Sequence, residues 1–417
     1  MTMDIALRLI VGLLAAACIA SAAMAAAPTG PSASAPAKPR DYRFDGSISR
    51  KVLENYLSRS ITMMGLLHES ANLDEDLRML RHTGAKLAGR AMYTWGRESR
   101  LEAILAKAGP AARKVHAADA DIILQACAFE IVSTEVSTLA IPAWVFEEFG
   151  RPAEKRTFRY ADMLYVDGWG HNRWRRGSSV PDMSRPETRM WFYWLARRWI
   201  DAGAEAIHFG QVRLMDRKDP KHVHWFDVLG RIRRYAARHA RRHLLLADAH
   251  TPKGGVVEDG KCLLDFHSFP LRIDEVEDRP QEGVLRMGYI DSIYGRSTGG
   301  LAPSGWQCDH LPYLVELDNF DVSNHPGKPG HDCYIWGYDE ICWYALQPEQ
   351  YRNRWLRYAW DWLRQHDANG HLQMPGNRCL FVPVAGLRRY AANTKSPAAP
   401  NGFSQEETIR AIWAADK

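Results

Sequence analysis

Short apolar runs alternating with amphipathic stretches decide what this chain can fold into. ITMMGLL (61–67), AKLAGRAMYTW (85–95), DIILQACAFEIV (121–132), AEAIHFGQ (204–211), HLLLADAH (243–250), CLLDFHSFP (262–270), LPYLVELDN (311–319) and CYIWGYDEICWYA (333–345) each read as one buried strand. A parallel strand covered on both faces is a near-continuous apolar run. The intervals carry helical patterns: Leu73 to Thr83 with Asn72 as cap and Gly84 as stop, Arg185 to Ala202 with Pro186 in its first turn, and the stretches 222–242 and 348–367. A shorter helix from Ile48 to Leu57, with Ser47 as its cap, precedes the first run. Eight such units predict a closed (β/α)8 barrel over residues 61–367. No G-x-G-x-x-G follows the early strands, which removes the usual dinucleotide signal.

Two segments interrupt the rhythm. Residues 140–185 form a long insertion after strand three, and 371–417 read as a C-terminal tail of turns and one short helix. Long ordered insertions on barrels are often functional. This one contains Asn172-Arg173-Trp174-Arg175-Arg176, and its loop is placed to reach the mouth.

The first residues read as a targeting segment. Arg8 precedes the apolar run Leu9–Ala20, and Ala23-Met24-Ala25 is a small-x-small cleavage site. Residues 1–25 are thus expected to be a signal peptide, 26–40 a Pro/Ala/Ser-rich tether, and 41–417 one catalytic barrel domain with decorations. The mature protein is then secreted or periplasmic. The apolar run is too short for a stable membrane span. Cys18 leaves with the signal, and an exported chain permits disulfides among the six that remain, although Cys127 and Cys342 lie in apolar runs and read as buried thiols. No C-x-x-C occurs, which argues against structural zinc.

A formal charge of +5 over 417 residues is too small to call for nucleic acid. The basic stretch RIRRYAARHARRH keeps an apolar stripe and reads as a solvated helix face. The 15 Trp are an excess that large helix–barrel contacts mostly absorb.

The chemistry gathers at the carboxyl ends of the runs, where active sites of such barrels sit. Strand two ends in Tyr93 and Trp95, strand three in Glu130, strand four in His208 and Gln211. Strand five ends in Asp248 and His250, strand six in Asp265 and His267, strand seven in Glu316, Asp318 and Asn319, and strand eight in Asp339 and Glu340. Buried acids are expensive unless paired or used. Two carboxyl groups across a mouth are what glycosidic bond cleavage needs: one protonates the leaving oxygen, the other attacks or activates water.

On these strand ends the chain resembles the TIM-barrel glycoside hydrolases. The resemblance implies a nucleophile on strand seven, matched by Glu316, and an acid at the end of strand four. There the sequence departs, with Gln211 in the acid's place. The second carboxyl is therefore expected to be Glu130, with Asp248, Asp339 and Glu340 as substitutes. Tyr93, Trp95, His208, Gln211, His250, His267, Asp318, Asn319 and Trp336 are the expected sugar contacts. The resemblance implies an oligo- or polysaccharide substrate, and neither cofactor nor metal is expected. Two other readings stay open. The pairs Asp248/His250 and Asp265/His267 could ligate a divalent metal that activates water. A non-catalytic sugar-binding barrel would use Trp95, Trp169, Trp174 and Trp336 as platforms.

Overall fold

Eight parallel strands hydrogen-bond in sequence order, and the last pairs with the first. They are β1 (Ser60–Met63), β2 (Leu87–Met92), β3 (Ile123–Cys127), β4 (Ala206–Gln211), β5 (Leu246–His250), β6 (His267–Pro270), β7 (Tyr313–Glu316) and β8 (Gly370–Val384). The closed (β/α)8 barrel follows from that closure alone. The computed structural model describes residues 40–416 apart from 252–253, 291–293, 296 and 331–332. The expected signal peptide and nearly all of the expected tether lie outside the described residues. Among the described residues no helix is long and apolar enough to cross a membrane, and Cys127, Cys262, Cys308, Cys342 and Cys379 are free thiols.

Helix α1 (Arg50–Leu57) closes the bottom of the barrel. Its cap is Ser49, two residues later than Ser47, because the Ser49 side chain accepts from the Val52 N–H. Ile48, Val52, Leu53, Tyr56 and Leu57 pack on the lowest inward layer, Leu87, Ile123, Ala206, Leu246, Phe266 and Leu314. Each fully buried aliphatic side chain there contributes about 1.5–3 kcal/mol. The barrel helices α2 (Leu73–Thr83), α3 (Leu101–Ala118), α5 (Pro186–Asp201), α7 (Val223–His239) and α9 (Glu349–His366) wrap the outside. Asn72 caps α2 and Gly84 ends it at φ 84°, as the sequence predicts. Between α3 and α5 the insertion carries α4 (Ala143–Glu148), and α6 (Val212–Met215) follows β4 directly.

The structure corrects strand eight. CYIWGYDEICWYA is not extended: Trp336 and Gly337 take positive φ, and Asp339 then caps α8 (Glu340–Leu346) by accepting from the Cys342 N–H at 2.9 Å. A short apolar run does not distinguish a buried strand from a buried helix. Asp339 and Glu340 therefore sit at a helix N-terminus, and α9 precedes the last strand instead of closing the barrel. The real β8 lies in the expected tail, pairs with β7 and β1, and folds back antiparallel onto β9 (Leu387–Ala391) before α10 (Glu406–Ala415). Strand six is also shorter than predicted, because Lys261 and Cys262 pair into a separate small sheet.

Candidate active site

Alternation along β5 and β6 sorts the predicted residues by face. Leu246 and Phe266 belong to the bottom layer, so Asp248, His250, Ser268 and Pro270 point inward. Asp265 and His267 point outward, which corrects their placement at the mouth. The Asp265 carboxylate accepts from Arg233 of α7 at 3.1 Å and from the Ala247 N–H at 2.9 Å. His267 Nδ1 meets Ser297 Oγ at 3.2 Å, and burial pulls its pKa to about 3. The two Asp-x-His pairs do not converge, so the proposed metal ligand set does not form.

Above the bottom layer the interior is polar. Asp248 accepts from Gln125 Nε2 at 2.7 Å and from Ser268 Oγ, and faces His208 Nδ1 at 2.7 Å. Gln373 of β8 joins Thr62 and Ser60 of β1. One layer higher lies Glu316. Arg90 of β2 grips it through both Nε (3.0 Å) and Nη2, Arg378 of β8 donates at 2.7 Å, and His250 Nε2 stands 3.4 Å away. Arg90 adopts φ 57° where the β2–β3 register shifts, so a strained backbone aims its side chain across the barrel. Burial opposes the Glu316 charge, yet Arg90, Arg378 and the nearby His250 ring hold its pKa well below the usual range. Asp318 shares Arg378 (3.2 Å) and accepts from the Asn319 N–H at 2.8 Å, while the Asn319 side chain accepts from Arg378. Burial works against the Asp318 charge too, but the His250, Arg90 and Arg378 charges outweigh it and lower its pKa. His250 is the counterpart: burial disfavours its cation, and Glu316 and Asp318 raise its pKa nonetheless.

A cleft of about 140 Å³ opens over this layer, lined by Gln211, His250, Thr251, Phe269, Pro270, Arg272, Asp318 and Phe320. Asp318 is the carboxylate on its wall, with 17% of its side chain exposed against 5% for Glu316. Beyond Asp318 stands the N-terminus of α8, whose Ile341 N–H donates to the Asp318 carbonyl at 3.2 Å. Glu340 is buried there. Its Oε1 accepts from Arg272 at 2.6 Å and its Oε2 has no hydrogen-bond partner among the described residues. Burial, reinforced by the Asp318 charge and only partly offset by Arg272, pushes its pKa to about 8. Burial likewise lifts Asp339 to about 6, against the hydrogen bonds of its cap.

The other expected residues fall to either side. Glu130 lies behind Gln211, which binds both its oxygens through its backbone N–H and its Nε2 at 2.9 Å. The insertion does reach the mouth: Trp174 Nε1 donates to the Glu130 carbonyl at 3.1 Å, and its ring meets Trp95 at 5.4 Å. Tyr93 donates to Glu69 at 3.1 Å. Trp336 is not a platform, since it is buried and its indole donates to the Glu282 carbonyl. Sequence reasoning missed Arg90, Arg378 and Arg272. Arg90 had a signal, a cation amid the apolar run of strand two.

No protein-family model matches the sequence, and no curated protein matches it. Among solved structures the chain is similar to a GH27 β-L-arabinopyranosidase from Geobacillus stearothermophilus crystallised with arabinose. That match has 12% identity and a TM-score of 0.31, and covers 54% of this chain and 56% of that one. A β-galactosidase from Bacillus circulans sp. alkalophilus matches at 11% identity and a TM-score of 0.40, over 85% of this chain and 55% of that one. A trehalulose synthase matches at 13% and 0.32, over 66% and 60%. The chain thus spans a little over half the length of these proteins, two of which carry glycosidase names. At these scores the barrel rests on its own strand pairing and the function on its own site.

Proposed function

We propose that the chain is a glycoside hydrolase with Asp318 as its charged carboxylate and Glu340 as its proton donor. One observation carries this: Asp318 stands on the cleft wall and Glu340 is buried behind it on Arg272, which also lines the cleft, and the two carboxyl groups are pushed in opposite directions, Asp318 down and Glu340 up to about 8. Such separation is how one site holds an acid and a base at the same pH. Glu316, the strand-seven acid expected to be the nucleophile, already meets Arg90, Arg378 and His250 through its two oxygens and keeps little room to attack. It serves as the fixed anion that keeps His250 and the two guanidinium groups in place. Asp318 keeps a face toward the cleft, where it would meet the anomeric carbon.

Hydrolysis of a panel of 4-nitrophenyl glycosides tests the reading. Asp318→Asn and Glu340→Gln are each expected to lose about 100- to 10,000-fold in rate, the scale of a lost acid or base. The wild-type rate is expected to fall as pH rises through about 8, because Glu340 must keep its proton. EDTA is expected to leave it unchanged. An Asp318→Asn variant as fast as wild type would end the assignment.

A further inference from the structure

One loop of the insertion carries charge that has no part in that scheme. Arg173, Arg175 and Arg176 are exposed, as is Arg97 in the turn after β2. None of the four makes an ion pair among the described residues. The acids of the neighbouring turns are engaged elsewhere. Glu98 accepts from the Ser133 N–H at 3.0 Å, Glu135 from Ser99 Oγ at 2.6 Å, and both Glu130 oxygens from Gln211. The loop is nonetheless fixed. Arg175 Nη2 donates to the Gly96 carbonyl at 2.6 Å, beside Arg97, and Trp174 is tied by its indole to the Glu130 carbonyl. The Gly177 N–H donates to the Asn172 side chain at 2.6 Å, and the Asn172 N–H to Ser179 Oγ at 2.9 Å. Like charges held close together repel, so gathering guanidinium groups on a fixed loop works against stability. An anion laid across them removes that repulsion, and each guanidinium fork matches two oxygens of a carboxylate or a sulfate ester.

The position of the loop identifies what carries the anion. Arg173 lies over the Trp174 ring at 5.4 Å. Trp174 is joined through Glu130 to Gln211, a wall of the cleft. The basic loop is thus the rim of the cleft on its β3–β4 side, where a polymer seated in the cleft would run on. We propose that this rim binds an anionic polysaccharide, with Arg97, Arg173 and Arg176 meeting the carboxylates or sulfate groups of sugar units outside the cleft. Arg175 is a positioning residue that pins the loop to the turn of Arg97. The site rests on the carbohydrate reading above and gives it a substrate class.

Calorimetric titration of the intact protein with polygalacturonate, dextran sulfate and neutral dextran tests this. At least one anionic polymer is expected to bind, and dextran to bind far more weakly. Raising NaCl from about 50 to about 500 mM is expected to weaken the anionic polymer about tenfold or more, since exposed charges are screened by salt. Binding of polygalacturonate alone assigns the site to carboxylates, of dextran sulfate alone to sulfate esters, and of both to either anion. Arg173→Gln/Arg176→Gln is expected to weaken binding about tenfold or more. Arg238→Gln/Arg354→Gln, which removes two exposed charges from α7 and α9, is expected to leave it unchanged. Failure of both anionic polymers to bind would overturn the proposal, as would dextran binding as tightly. So would an equal effect of the two double variants, or a single-stranded DNA oligonucleotide bound more tightly than either polymer. Polymer choice and salt dependence are read on wild type, so they stand even if a variant does not fold. Glycoside hydrolysis without anionic binding removes this site and leaves the hydrolase; anionic binding without hydrolysis of any glycoside does the reverse.

Discussion

Arg90 reaches Glu316 from across the barrel and Arg378 reaches it from the neighbouring β8. The carboxylate and both guanidinium groups are buried. Removing one partner from a buried ion cluster leaves uncompensated charge, which destabilises by about 3–5 kcal/mol. Glu316→Gln keeps the shape but not the charge, so it is expected to unfold at markedly lower urea concentration than wild type. Asp318→Asn leaves the Arg90–Glu316 grip and the Arg378–Glu316 bond intact, so it is expected to lose less stability than Glu316→Gln while losing activity. Equal midpoints for Glu316→Gln and wild type would contradict the anchoring role. At this scale the acid was legible and its partners were not. A Glu at the end of YLVE stands out because burial of a lone carboxylate is unfavourable. Nothing in LVELDN, however, tells that the compensating cations come from residues 226 positions before it and 62 after it.

Helix α8 ties the acid to the fold. Asp339 caps it by accepting from the Cys342 and Phe320 N–H groups, and Glu340 follows at its first position. Asp339→Ala removes the cap and is expected to cost about 0.5–2 kcal/mol. It also frees Phe320, a wall of the cleft, so kcat is expected to fall more than stability alone explains; thermal unfolding and kinetics on one preparation separate the two. A structural role limited to the cap would leave kcat unchanged. The elements show why the sequence was read in part. The first seven strands are short apolar runs bounded by polar turns, and each overlaps an observed barrel strand. The eighth, GHLQMPGNRCLFVPV, carries Pro375, Gly376 and Asn377, which read as turn residues. The barrel accepts them because the β1 register shifts opposite them, between Thr62 and Met63. The helix that was mistaken for it is apolar on all sides because α8 is buried along almost its full length.

Over the whole molecule, the groups that titrate near neutrality pull in opposite directions. His267 and His371 are buried with pKa values near 3, below the unfolded value of about 6.5. The folded state therefore binds fewer protons than the unfolded chain, and their contribution is lost as pH falls below about 6.5. Glu340 has the opposite sign. Its folded pKa of about 8 lies above the unfolded value of 4.5, so the folded state binds the extra proton, and its contribution grows as pH falls from about 8 toward 4.5. Between pH 7 and pH 5 that proton uptake amounts to roughly 2 kcal/mol in favour of the folded state. Glu340→Gln removes it, while Asp339 and His250, whose folded pKa values are also raised, keep their share. Urea unfolding at the two pH values is thus expected to show the variant losing about 2 kcal/mol more than wild type on acidification. All other titrating groups are common to both proteins and cancel in the comparison. If both proteins lost the same stability over that interval, Glu340 would be an ionised partner of Arg272 at neutral pH. It could not then be the proton donor, and the proposed mechanism would lose its acid.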